Sequence, residues 1–172
     1  MQMNHKHLLA TVGTAVASCA IAVSGLTAAS AANSGGTRNH LSGSETFVAM
    51  TTSPTSSRYS AIATGVFTAG GYDDSGRTAD TLHFPGGTIT VRHGATHGTQ
   101  VLNPKTCLFK ASQTGAYTMS GGTGRYAGIR GSGTAVISIL AVGARNSKGQ
   151  CSQQLPPIAW QQVITGKGHV NL

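Results

Sequence analysis

Carboxylates are almost absent from this chain. Its 172 residues carry 4 Asp and Glu against 12 Lys and Arg, and Glu45 is the sole glutamate. Aromatic residues make up 5% and charged residues 9%. Long helices and coiled coils, which need periodic Ala, Glu, Lys, Leu and Arg, are excluded by that scarcity. Proline is rare as well. With 5 prolines and 24 glycines, the two together stay below the ~25–30% that marks low-complexity disorder, and no three-residue glycine period suggests collagen. Lys and Arg never form a run and no aromatic ladder interleaves with them, so the pattern of a nucleic-acid binder is missing despite a net charge of +8. What is present is a Gly-, Thr- and Ser-rich domain built from strands.

The first thirty residues read as an address. Met1 to His7 is polar and carries Lys6, Leu8 to Leu26 is apolar or small, and Ala29-Ser30-Ala31 offers small residues for cleavage. This is the order of a secretory signal, residues 1–31. Two other readings exist: an uncleaved anchor, for which the many Ala, Thr, Ser and Gly residues make a weak span, and a loose lipobox at Val16-Ala17-Ser18-Cys19. Cleavage accounts for more of the pattern and implies a secreted, extracellular protein with no stable membrane insertion once processed. Residues 32–44 read as a flexible lead-in and residues 45–172 as one domain, in a mature chain of about 140 residues that can bury ~68% of its unfolded surface. The mature chain stays basic, which suits solubility or attraction to an anionic envelope polymer.

Cys19 leaves with the signal, and Cys107 and Cys151 remain. An even pair in an oxidising compartment predicts a disulfide. Closing a loop of about 44 residues stabilises by about 4 kcal/mol on the chain-entropy model.

From Glu45 onward, short apolar segments alternate with turn residues. Strands are predicted at Glu45–Met50, Tyr59–Ala69, Thr81–Phe84, Thr88–His93, Thr106–Lys110, Ala116–Ser120, Thr134–Val142 and Ile158–Thr165. Asp73-Asp74-Ser75-Gly76 and Gln113-Thr114-Gly115 read as turns. Seven or eight strands separated by glycine-marked turns fit a sandwich or a closed barrel, and periodicity does not choose between them.

The stretch Gly121-Gly122-Thr123-Gly124-Arg125-Tyr126-Ala127-Gly128-Ile129-Arg130-Gly131 resembles the Gly-Gly-Thr-Gly signature of dirigent proteins and a related stretch of allene oxide cyclases. Phe84 to Val91 and Ala63-Thr64-Gly65-Val66-Phe67 are similar to dirigent strands in order and spacing. The resemblance implies a single eight-stranded antiparallel β-barrel and, by analogy, a homotrimer. It also implies a lumen that binds a small apolar or aromatic molecule, with cyclisation or coupling as the attendant chemistry. Physically, the glycines permit a tight reversal, after which Tyr126 and Ile129 anchor the next strand in the core. A phosphate cradle would need a helix after the glycines, and Ala127 to Gly131 is a poor one.

The dirigent-like reading makes Asp80 and His83 the catalytic candidates, with Arg92, His93, Val91 and Tyr117 bordering the ligand. Asp80 is the first choice of proton donor, because a carboxyl in an apolar mouth holds its proton towards neutrality. Asp73 and Asp74 read as turn formers. His83 and His93 are expected on one face if their strands alternate in step, with solvent-facing imidazoles as the plainer reading. His93-x-x-x-His97 has helical ligand spacing in a strand-like region, so no metal site and no cofactor are expected. Two function classes stay open: a ligand-binding barrel, with or without turnover, and a non-catalytic basic module of an envelope or matrix.

Overall fold

A computed structural model describes residues 41–172. The signal segment and most of the expected lead-in lie outside the described residues. Eight strands follow in order: β1 (Ser42–Thr51), β2 (Arg58–Gly65), β3 (Ala69–Asp74), β4 (Ala79–Phe84), β5 (Gly87–Asn103), β6 (Leu108–Ser120), β7 (Arg130–Val142) and β8 (Ala159–Asn171), with one 3-10 turn at Gly124–Tyr126 between β6 and β7. Each strand pairs antiparallel with its sequence neighbour, and β1 pairs with β8, so the sheet closes into a ring. No helix among the described residues is long and apolar enough to cross a membrane.

Unequal strand lengths shape the ring. β3 and β4 have 6 residues each, whereas β5 has 17 and β6, β7 and β8 have 13. Pairing of β4 with β5 stops at Ala79↔Arg92, and pairing of β1 with β8 stops at Thr51↔Gln162. Past those points β5 to β8 run on as a four-stranded extension. At the tip of that extension, Cys107 and Cys151 form the expected disulfide, Cα–Cα 5.4 Å, joining the β5–β6 turn to the β7–β8 loop.

The opposite end of the ring is filled. Phe67, in the β2–β3 turn, packs edge-on against Phe47 and Phe84 with ring centroids 6.1 Å away in each case, and lies 5.1 Å from Tyr126. Such aromatic contacts add about 0.5–1.5 kcal/mol beyond area burial. Gly121 and Gly124 take φ of 75° and 57°, the left-handed region that favours glycine, and so reverse the chain into the 3-10 turn. Tyr126 and Ile129 then seal the core at 0% and 1% exposure, as the sequence predicts.

Three predicted strand boundaries are corrected. The segment Tyr59–Ala69 breaks at Gly65, where β1 passes so close that an added Cβ would stand 2.2 Å from the Ser44 carbonyl oxygen. Asp73 and Asp74 belong to β3, and the turn begins after them. Gln113-Thr114-Gly115 is the middle of a continuous β6, not a turn. The register of β5 shifts between His93 and Thr96, and Gly115 leaves room for the bulge, since a Cβ there would meet the Thr96 Cγ2 at 2.9 Å.

Candidate functional site

Where the closed ring gives way to the four-stranded extension, the interior is not filled. A cavity of about 180 Å³ opens there, walled mainly by apolar side chains including Leu82, Val91, Tyr117, Ile137 and Ile164. Asp73, Ser75, Asp80 and His93 supply a polar corner on β3, β4, β5 and the turn after β3.

Strand alternation explains who faces in. Asp73 sits between the outward-facing Tyr72 and Asp74 and is 3% exposed. Its Oδ1 has no hydrogen-bond partner among the described residues. Burial, and then the nearby charges of Asp80 and Asp74, push its carboxyl up to about 7. The phenol of Tyr59, paired with Asp73 across β2 and β3, is pushed up by burial and then by the charges of Asp73 and Asp80. Asp80 is held differently. Its Oδ1 accepts from the Gly76 backbone N–H at 2.9 Å and the Ser75 hydroxyl at 3.1 Å, and lies 3.2 Å from His93 Nε2. Donors converge on it, which suits an acceptor. Asp73, buried and unpaired, is the better proton donor of the two.

A third carboxyl lies at the filled end. Glu45 is 1% exposed, and its Oε2 accepts the Phe67 backbone N–H at 3.1 Å. Burial pushes its carboxyl up, opposed by the backbone N–H groups of Phe67 and Val66. It fastens the turn that carries the aromatic plug. Tyr117, whose phenol is raised by burial and then by Glu45, reaches from the cavity towards this end.

Asp80, Val91, His93 and Tyr117 therefore meet around one cavity. His83 and Arg92 do not. The two-residue turn Pro85-Gly86 pairs Phe84 with Gly87 and His83 with Thr88, so His83 lies on the outer face while Leu82 and Phe84 point inward. There it stacks on Tyr72 at 4.4 Å and pairs with Asp74 at 3.2 Å. Arg58 covers the same Tyr72 ring at 4.2 Å and bonds Asp74 at 2.8 Å; that bond holds the Asp74 carboxyl below its ordinary value. Arg92 is exposed on the outer face, so it supplies no charge to the cavity. The expectation that His83 and His93 share a face is corrected by this register.

Asp73 is the site residue that sequence reasoning missed. Its companion Asp74 and the following Ser75 and Gly76 made a turn the simpler reading, and β3 (Ala-Gly-Gly-Tyr-Asp-Asp) has the low strand propensity that conceals it. Among the described residues no group of three or more His, Cys, Asp or Glu is arranged to hold a metal ion. Comparison of the chain with protein-family models, with curated proteins and with solved structures finds no match.

Proposed function

We propose that this chain is a secreted barrel of the allene oxide cyclase and dirigent kind whose lumen binds a small apolar or aromatic molecule and donates a proton to it. The observation that carries this reading is a buried carboxyl without a partner, Asp73, in the wall of an otherwise apolar cavity. Burying a polar group without a hydrogen bond costs roughly 1–3 kcal/mol by protein mutational data, and a bound ligand offering an oxygen or nitrogen relieves that cost. With its proton retained towards neutrality, Asp73 can donate to a carbonyl or to a carbon made basic by conjugation; Asp80 and His93 stand beside it to return the proton.

The cavity volume limits the ligand. An apolar void of ~150 Å³ takes a benzene, so about 180 Å³ suits one ring with a short substituent and lies below the ~300 Å³ of pockets for drug-sized molecules. Calorimetric titration with single-ring phenols and cyclic enones tests the reading, with Ile137→Trp as a variant that fills the cavity. Binding to the native chain and its loss in Ile137→Trp, with an unchanged β-sheet spectrum, are expected. No binding across the series would move the protein to the structural class.

A further inference from the structure

Charge is segregated across this sheet. Every lysine and arginine among the described residues is exposed. Three of the four carboxylates point the other way: Glu45 and Asp73 are 1% and 3% exposed, and the Asp80 side chain is 15% exposed. Two of them line the cavity, and none of the described Lys or Arg residues does. In a strongly basic chain with 4 acidic residues, the interior is acidic.

We propose that the lumen selects cations: it takes a small organic ammonium ion bearing one apolar ring, with the ammonium group held by Asp73 and Asp80. This rests on the reading of the cavity as a ligand site and names the class of ligand. An ammonium offers three donors, and the Asp73 Oδ1 is a buried acceptor without a partner among the described residues. The apolar walls at Leu82, Val91 and Ile137 suit the ring. A carboxylate ligand would instead face two like charges with no lysine or arginine among the described residues to offset them, in surroundings where charge interactions are strong. A hard metal ion fits poorly, because it needs six or more oxygen ligands and the walls are chiefly carbon.

Around Asp73 stand Tyr59 from β2, Asp74 on its own strand, Asp80 from β4 and His93 from β5. As pH rises through neutrality, Asp73 gives up its proton. That change makes the corner more negative, so ammonium affinity climbs while that of a neutral analogue does not.

The test uses one skeleton with three head groups: phenethylamine, phenethyl alcohol and phenylacetate, titrated calorimetrically into the mature protein at pH 8. The amine is expected to bind roughly 10- to 100-fold tighter than the alcohol, the range of a charge-assisted hydrogen bond, with the carboxylate weakest. In Asp73→Asn the ratio of amine to alcohol affinity should fall towards one. If that variant does not fold, the same ratio in the native chain should rise between pH 5.5 and 8, over which the amine stays protonated. An alcohol that binds as tightly as the amine at pH 8, or a ratio flat with pH, overturns cation selection and leaves the ligand site standing. If none of the three binds and Ile137→Trp gives the same trace as the native chain, both readings fall.

Discussion

Gly133 and Tyr117 are paired across β6 and β7, and the side chain that Gly133 lacks is the space that Tyr117 fills. A Cβ on Gly133 would stand 2.7 Å from the Tyr117 hydroxyl and 2.2 Å from the Lys167 carbonyl oxygen. Gly168, next in the same row, has its own Cβ position 2.7 Å from that hydroxyl and is paired with Glu45. The glycines of β7 and β8 thus form a bare floor on which an aromatic ring lies inside the sheet.

Gly133→Ala is expected to destabilise by about 1–3 kcal/mol, the cost of overpacking, because the obstructing Lys167 oxygen is backbone and cannot swing aside. Gly70→Ala is the matched control. Nothing lies within 4 Å of its Cβ position, so it should stay within ±0.5 kcal/mol of the native chain. Urea denaturation of both variants measures the difference, and equal effects would show that the floor tolerates a methyl group.

Asp73 makes stability depend on pH in a direction opposite to that of a salt-bridged carboxylate. Its folded value is about 7 against an ordinary 3.8. Below pH 3.8 the group is protonated whether the chain is folded or not, and its contribution to stability is fully present. Between 3.8 and about 7 the unfolded chain ionises while the folded one keeps the proton, so stability falls by up to about 4 kcal/mol. Asp73→Asn should therefore be more stable relative to the native chain at pH 8 than at pH 4. Denaturation at the two pH values checks this, and a difference of the reverse sign refutes the burial of the carboxyl.

The disulfide at the tip of the extension should contribute about 2–4 kcal/mol. Cys107→Ser with Cys151→Ser is expected to lower the unfolding free energy by that amount, read from urea denaturation. Thiol titration of the unfolded, unreduced native protein should find none from this pair.

Much of the ring was legible in the sequence because glycine and alternation mark it. The reversal at Gly121 to Gly124, the anchoring of Tyr126 and Ile129, and the half-buried strand through Ile89 and Val91 all follow from local chemistry. The face of His83 is legible from the Pro85-Gly86 turn: a two-residue turn puts His83 opposite Thr88, on the outward row with Thr90. The second half of β5 carried no such mark. From Gly94 to Asn103 it is exposed along its length, so no buried face imposes a period on its residues. Asp73 stayed hidden for the opposite reason: a buried carboxylate in a glycine-rich strand breaks the rule that acids face water, and only tertiary pairing reveals it.

The claim on which the functional account depends is that the cavity between Asp73 and Tyr117 admits a ligand. Backbone amide shifts in a nuclear magnetic resonance titration with phenethylamine test it most directly. Saturable shifts clustered at Asp73, Asp80, Val91, His93 and Tyr117 are expected, with silence on the outer row around His83 and Arg92. An unchanged spectrum at high ligand concentration, or shifts confined to the outer face, would contradict it.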